Sequence, residues 1–256
     1  MPRRTWKPSG KHKKLFAGPW VGEFGWELFG WQAKLRWLRR HVYDEVFVQC
    51  KPGHEVLYKD FATIGYPTEM SCQQEIVDCD ILGAGQLPVN YACNWNEAKC
   101  RRLGFFDQEW ARLGRKTDTE IDVVIHARKR TWAPDHNWSG GNWVGLVDRL
   151  QAQGLVVAQI GLTRQTFNLP CTDFRDRSIE NVANLLASSR LCVGTSSGPM
   201  HLASLSGCPH LVLSDDTNIM RYMQHWNPFQ TECRLAGSWH PPVPLVHARA
   251  SEMLHE

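Results

Sequence analysis

Short apolar runs alternate along the chain with stretches in which apolar residues recur every three or four positions. The short runs are typical of buried strands and lie at 14–17, 44–50, 121–126, 155–160, 190–193 and 210–213. The longer stretches predict amphipathic helices and lie at 26–40, 52–61, 142–153, 178–188 and 199–206. A weaker element is expected at 75–82. Strands that alternate with helices favour parallel sheets with right-handed crossovers, so the pattern predicts an α/β fold.

The order of the elements suggests two halves of related architecture. We expect two Rossmann-like halves that face a cleft, a short first half at 15–118 and a second half at 119–240. A charged passage with few apolar residues, RLGRKTDTEID at 112–122, is the best candidate for the linker. In this interpretation residues 1–14 are a basic arm and residues 241–256 are a C-terminal tail.

The turn after the run at 190–193 has the features of an anion site. Gly194 bounds the strand, and Pro199 suits the first turn of the next helix because its missing N–H would be unpaired there anyway. Small residues let a ligand approach the backbone, and free N–H groups at a helix start attract a phosphate. The candidate contacts are Thr195, Ser196, Ser197, Gly198, Pro199, Met200 and His201. Two alternatives stay open: the serines only cap the helix, or His201 packs under the turn instead of touching a ligand.

Basic residues follow the run at 121–126. Arg128 and Arg130 come directly after it, and open α/β sheets bind ligands beyond the carboxyl ends of their strands. For His126, at the end of the same run, we favour a structural role. Three tryptophans surround a glycine-rich loop that could close on a ligand, although core or surface positions fit them equally: Trp132, Trp138 and Trp143.

Composition narrows the class of protein. The 256 residues are 43% hydrophobic and 21% charged, as in ordinary globular proteins. No apolar run approaches the roughly 20 residues of a membrane span, and the N-terminus lacks the apolar segment of a signal peptide. The nine cysteines form no CxxC pair, which favours reduced thiols and no zinc site. We expect a cytoplasmic protein, in the host cytoplasm if the source is viral.

The net charge of +3 is mild, but its placement is uneven. Six basic residues precede the first apolar run with no acidic residue among them: Arg3, Arg4, Lys7, Lys11, Lys13 and Lys14. Such an arm can hold a polyanion such as nucleic acid, or it can simply be solvated.

One segment carries a family resemblance. The run IENVANLLASSRLCVGTSSGPMHLASLSGCPHLVL resembles the C-terminal motif of the heptosyltransferase-like (family 9) GT-B glycosyltransferases: a helix with LLARA, a strand ending VGNDSG, then PMHLAAALGTP and a strand. The pieces IHARKR, NW and LVDRLQAQGLVVAQIG are more loosely similar to the preceding part of that pattern. At the N-terminus, GWELFGWQAKLRWLRR stands where the family has a Gly-Asp pair that opens its first helix. This chain departs from the family by carrying Ser196 where the motif has Asp, and by being shorter.

The resemblance implies transfer of a sugar from a nucleotide-diphosphate donor held by the second half, with no cofactor and no bound metal. Backbone N–H groups at 197–200, with Arg128 and Arg130, would stabilise the charge on the leaving diphosphate. The pair Asp215-Asp216 is the nearest approach to a metal-binding motif, and we interpret it as a loop pair.

The acceptor hydroxyl would need a general base. Glu27 fits the family register, and Glu23 has the more flexible position in the glycine-rich first loop. Alternatively, Glu27 only caps the first helix against its dipole.

Several functions fit these residues. The resemblance favours a saccharide or glycan acceptor, whereas the basic arm and the short length fit a DNA glycosyltransferase acting on a hydroxylated base, such as a hydroxymethylated one, in viral DNA. A sugar-modifying or phosphate-releasing enzyme on the same scaffold is a further alternative, as is a non-catalytic nucleotide or nucleic-acid binding protein.

Overall fold

The computed structural model describes residues 8–65, 79–82 and 107–255, and the chain divides into two compact units, Met1–Ala111 and Arg112–Glu256. Most of the weak element expected at 75–82 lies outside the described residues, as do Arg3, Arg4 and Lys7 of the basic arm. None of the helices within the described ranges is long and apolar enough to cross a membrane.

Unit 1 is built on a parallel sheet with strand order β3-β2-β1-β4. Its strands are β1 (Lys14–Ala17), β2 (Glu45–Gln49), β3 (Thr63–Gly65) and β4 (Cys79–Leu82). Between β1 and β2 the chain forms a continuous helical segment: α1 (Phe24–Trp26), a π-helical turn (Glu27–Trp31) and α2 (Gln32–His41). The apolar spacing that predicts this helix also gives its buried face, which includes Leu28, Trp31, Leu35 and Leu38.

The helix predicted at 52–61 is wrong, because the chain turns sharply after β2. The His54 N–H donates to the Lys51 carbonyl at 3.0 Å, and Gly53 between them has φ +85°. Proline followed by a glycine of positive φ is the signature of a type II turn, which cannot start an α-helix. A 3-10 turn, Glu55–Leu57, and further turns follow within this stretch, but no α-helix.

Unit 2 is built on a six-stranded parallel sheet with strand order β10-β9-β8-β5-β6-β7. Its strands are β5 (Val123–His126), β6 (Val157–Gln159), β7 (Thr172–Asp173), β8 (Leu191–Thr195), β9 (His210–Leu213) and β10 (Cys233–Leu235). Its helices are α3 (Gly140–Ala152), α4 (Ile179–Ser188), α5 (Gly198–Ser206) and α6 (Val243–His255). The chain runs outward from β5 to one edge and then from β8 to the other, which is the doubly wound Rossmann order with a switch point between β5 and β8.

Local sequence signals account for most of these helix ends. The Ser178 hydroxyl accepts from the Asn181 N–H at 3.2 Å and caps α4. Gly207 ends α5 with φ +75°. Ser139 caps α3 in the same way as Ser178 caps α4.

Residues 241–256, expected to be a tail, contain the helix α6. Its buried side chains Val246, Ala250 and Met253 join the core cluster of the unit, together with Leu146 of α3. These three residues recur at intervals of four and three, which is a helical period. The C-terminal residues are therefore part of the packed unit.

The passage 112–122, expected to be a linker, is docked on unit 2. The N–H of Leu113 donates to the Leu205 carbonyl, and the N–H of Arg115 donates to Asn184 Oδ1. Gly114 lies between them with φ +81°, and an added Cβ would overlap the Ala183 carbonyl of α4. The contact between this passage and α4 therefore depends on the missing side chain.

Gly114→Ala should destabilise the protein more than Gly154→Ala, which is its matched control. Gly154 has the same φ of +81° but open space around its Cα, so its substitution carries only the left-handed strain, about 1 kcal/mol. Gly114→Ala adds an overpacking cost of roughly 1–3 kcal/mol. Urea unfolding of both variants measures the difference, and equal losses would show that the passage is not docked in this way.

Candidate functional site

The carboxyl ends of β5 and β8 are joined at the switch point of the unit 2 sheet. His126 ends β5, and its Nδ1 lies 3.0 Å from the hydroxyl of Ser197, in the turn after β8. The same hydroxyl lies 2.8 Å from the Thr195 carbonyl. Since a serine hydroxyl donates only once, we assign it to Thr195 and the Nδ1–H of His126 as donor to Ser197.

His126 holds this position as a neutral ring. Burial, together with the charges of Arg128 and Arg130, lowers the pKa of His126 to about 3. Its role at the turn is thus to donate one hydrogen bond, in agreement with the structural role expected from the sequence.

The turn after β8 uses most of its own polar groups internally. The Tyr222 hydroxyl donates to Ser196 Oγ at 3.0 Å and accepts from the Ser197 N–H at 3.3 Å. The Ser196 N–H donates to the Leu213 carbonyl, while the N–H of Met200 donates to the Ser197 carbonyl. Pro199 has no N–H, so the Gly198 N–H is the one backbone donor at 196–200 without a partner in the described part of the chain.

The surface of the turn that a ligand can reach is therefore smaller than the sequence suggests. Residues 196–199 are half-buried, whereas Thr195 and Met200 are fully buried. Gly194 lies within β8, and a Cβ there would come 2.5 Å from the Met200 sulfur, so its small size serves packing and not ligand approach.

His201 lies in an aromatic cluster behind the turn. Its ring stacks on Tyr222 at 4.5 Å and 18°, and meets Trp226 edge-on at 4.5 Å and 74°. Burial holds the pKa of His201 well below its usual value. With 2% of its surface exposed, His201 supports the turn through packing, and its assignment as a direct ligand contact stays a prediction.

Arg128 points its guanidinium into the loop that follows β5. It donates to the carbonyls of Trp132 and Ala133 at 2.6 and 3.0 Å and to the side chain of Asn137. Only 3% of Arg128 is exposed. Arg128 thus fixes the shape of the loop 130–137.

Arg130 is half-buried and begins that loop. Its N–H donates to Asn137 Oδ1 at 3.1 Å, and its carbonyl accepts from Asn137 Nδ2 at 2.8 Å. The two backbone bonds hold Arg130 at the carboxyl edge of the sheet, next to the switch point.

The three tryptophans considered for this loop have different positions. Trp138 and Trp143 are fully buried and pack edge to face at 4.8 Å. Trp132 is 70% exposed at the tip of the loop braced by Arg128.

Asp215 accepts from the Thr217 N–H and caps a 3-10 turn, which agrees with its interpretation as part of a loop pair. No group of His, Cys, Asp or Glu that could hold a metal ion occurs in the described ranges.

In unit 1, Glu27 is buried and paired at both carboxylate oxygens. The Tyr58 hydroxyl donates to Oε1 at 2.8 Å, and Nδ1 of His54 lies 2.8 Å from Oε2. The Glu27 side chain is 2% exposed, whereas that of His54 is 22% exposed. Glu23 is exposed and lies at the start of α1. Its backbone carbonyl accepts from the N–H groups of Trp26 and Glu27.

Sequence reasoning missed three of these residues. His54 follows a Pro-Gly pair directly after a predicted strand, and that pair is a turn signal at the carboxyl edge of a sheet. Tyr58 and Tyr222 carry no local signal, because their partners lie 31 and 26 residues away in the chain.

Unfolding free energy should fall as the pH is lowered from 6.5, because His126 is neutral in the folded state and takes up a proton on unfolding. Between its unfolded pKa of about 6.5 and its folded pKa of about 3, each such histidine contributes a slope of about 1.4 kcal/mol per pH unit. His126→Asn keeps a donor near the Nδ1 position. It should reduce the pH dependence of the unfolding free energy by one such slope, as measured by urea unfolding at pH 5–6. His255→Asn, at an exposed position of the same unit, is the control. An unchanged slope in His126→Asn would show that the ring is protonated when folded.

No family model and no curated protein matches the sequence. Solved structures do resemble it. The E. coli ADP-heptose LPS heptosyltransferase II is 12% identical with a TM-score of 0.62, over 95% of this chain and 98% of that one. The glycosyl transferase family 9 protein of Veillonella parvula DSM 2008 is 11% identical with a TM-score of 0.63, over 99% and 100%.

A third similar structure is the dodecameric iron-containing heptosyltransferase TibC in complex with ADP-D-β-D-heptose. It is 16% identical with a TM-score of 0.58, and the match covers 86% of this chain but spans only 61% of TibC. At such identities the likeness establishes the fold. The expectation of an α/β protein with two parallel sheets is confirmed, and the chain has the fold of the heptosyltransferase-like, family 9 glycosyltransferases.

Proposed function

We propose that this protein transfers a sugar from a nucleotide-diphosphate donor to a hydroxyl acceptor, and that unit 2 binds the donor. The observation that carries the proposal is the switch point of the unit 2 sheet, where His126 at the end of β5 meets the turn after β8. Doubly wound sheets bind nucleotides in the crevice at this point. The fold shared with TibC, which is described in complex with ADP-D-β-D-heptose, supports the same assignment.

The residues at this edge suit a diphosphate. Gly198 begins α5, so the positive end of the helix dipole coincides there with an N–H donor that has no partner in the described part of the chain. The hydroxyls of Ser196 and Ser197 lie beside it, and Arg130 supplies a positive charge from the neighbouring strand exit. Fixed dipoles and a guanidinium stabilise a leaving diphosphate where its charge develops, so the proposed mechanism uses no metal and no cofactor beyond the donor.

Arg128 and Arg130 have different parts in this proposal. Arg130 is the charged contact to the diphosphate, while Arg128 acts through the loop that it braces by its bonds to Trp132 and Ala133. In the proposal, the exposed ring of Trp132, at the tip of that loop, covers a bound donor.

The acceptor in this proposal is a saccharide or glycan, as the fold relatives suggest, and its hydroxyl is activated in unit 1 near Glu23 and Glu27. A DNA acceptor with a hydroxylated base is the alternative outcome of an acceptor screen, because both acceptors present a hydroxyl to the same chemistry.

Donor binding should depend on Arg130. In titration calorimetry with ADP, UDP and GDP, at least one nucleotide should bind, and Arg130→Ala should weaken it by roughly 1.5–3 kcal/mol, or about 10- to 150-fold, because a charge-assisted bond is lost. Ser197→Ala should have a smaller effect, since the backbone N–H of Gly198 remains.

Two further variants make this result specific. Arg149→Ala, at an exposed position on α3, should leave affinity unchanged. Arg128→Ala should lower affinity and melting temperature together, because the loop loses its brace. Equal affinity in the parent and Arg130→Ala, or no binding of any of the three nucleotides by the parent, would contradict the assignment of the diphosphate site.

A further inference from the structure

The acceptor-side carboxylate is not open to solvent. Glu27, the candidate base by family register, is 1% exposed and both of its oxygens are engaged, by Tyr58 and by His54. A carboxylate that is enclosed in this way cannot reach a substrate hydroxyl directly. Its half-exposed partner is the imidazole of His54.

We propose that His54 is the catalytic base of the transfer and that the buried Glu27 is its positioning residue, an inference that rests on the proposed function. The Glu27–His54 pair lies beyond the carboxyl ends of β1 and β2, the edge at which an open α/β sheet binds its ligand. Both residues belong to unit 1, so the pair stands on contacts within one compact unit.

The chain fixes the ring of His54 from three sides. The type II turn at 51–54 sets its backbone, with the His54 N–H bonded to the Lys51 carbonyl at 3.0 Å. The Phe24 ring packs edge to face with it, at 5.8 Å and 80°. Glu27 Oε2 accepts from Nδ1 at 2.8 Å, which selects the tautomer with its lone pair on Nε2. No hydrogen-bond partner of Nε2 is found within the described ranges.

Because Glu27 is buried, it can stabilise a positive charge on His54. An ionised carboxylate away from water is costly unless it is paired, so a positive charge on His54 is stabilised by Glu27 as it forms. A base whose second nitrogen is held by a buried carboxylate is the arrangement that activates hydroxyl groups in triads.

The neighbouring groups are poorer bases. Burial, with the nearby charges of Glu55 and Glu27, raises the pKa of the Cys50 thiol to about 12, so it stays protonated. Burial raises the pKa of the Tyr58 hydroxyl well above its usual value, and this group serves as a donor to Glu27.

The transfer takes place in one step, in which an O–H bond and a C–O bond break while an N–H bond and a new C–O bond form. The acceptor O–H bond breaks and its proton moves to Nε2 of His54, while the oxygen forms a bond to the anomeric carbon of the donor sugar. The anomeric carbon–oxygen bond to the diphosphate breaks, and its electron pair leaves with the nucleoside diphosphate. Glu27 keeps its charge throughout and balances the imidazolium.

The test follows nucleotide release from ADP-D-β-D-heptose, UDP-glucose and GDP-mannose in the presence of core oligosaccharides and hydroxymethylated duplex DNA. His54→Gln should slow turnover by roughly 10²–10⁴-fold with nucleotide affinity unchanged in calorimetry. In His54→Ala, added imidazole should restore part of the lost rate, which a merely structural role would not allow.

Two controls separate the base from its positioning residue. His41→Gln removes an exposed histidine that also pairs with a glutamate, Glu109 at 2.9 Å in the same unit, and should turn over like the parent. Glu27→Gln should slow the parent but not slow His54→Gln further, because the two residues act as a unit.

The outcomes separate this inference from the proposed function. A parent that releases nucleotide while His54→Gln turns over within about threefold of it overturns the assignment of His54 and leaves sugar transfer standing. Slow turnover in Glu27→Gln alone would make Glu27 itself the base. A parent that releases nucleotide from none of the three donors contradicts the proposed function, and this inference with it.

Discussion

The hydrogen bond between His126 and Ser197 joins the two strand ends on either side of the switch point in unit 2. Burial keeps His126 neutral, with a pKa lowered to about 3, so the bond forms without a charge being buried. Tyr222 completes the arrangement by bonding to Ser196 and to the Ser197 N–H. These contacts fix the turn at the start of α5, and among the described residues they leave the Gly198 N–H without a partner.

The same physical constraint, that buried polar groups must be paired, shapes unit 1. Glu27 is a buried carboxylate, and Tyr58 and His54 satisfy it. Burying this carboxylate without partners would cost free energy, so the three side chains form one hydrogen-bonded cluster. Within this cluster, only His54 reaches the surface. In the mechanism that we propose, the chemistry expected of Glu27 is carried by His54, the neighbour to which it is hydrogen-bonded.

Signals that are local in the chain predicted much of the fold. The strand predicted at 14–17 and the helix predicted at 178–188 are encoded by neighbouring residues, and the structure confirms both. The Pro-Gly pair before His54 is also a local signal, but proline suits the first turn of a helix as well as a β-turn, and the structure shows the turn where a helix is predicted at 52–61. The periodic residues of α6 at 243–255 were likewise readable from the sequence.

The site was less predictable, because its geometry depends on partners that are distant in the chain. Charge and position suggested a ligand contact for Arg128, but its guanidinium turns toward the carbonyls of its own loop. The number of free N–H groups at 197–200 was overestimated, since the hydroxyl of Tyr222 comes from a segment with no recognisable pattern. A sequence motif gives the place of a turn, whereas the donors left for a ligand depend on what packs against it.

The proposed transfer of a sugar from a nucleotide-diphosphate donor to a hydroxyl can be followed by mass spectrometry of glycans and of hydroxymethylated duplex DNA, after incubation with a panel of nucleotide sugars. We expect a glycan to gain the mass of one sugar while the matching nucleoside diphosphate appears in equal amount. Intact donors, with both acceptors unchanged in mass, would contradict it.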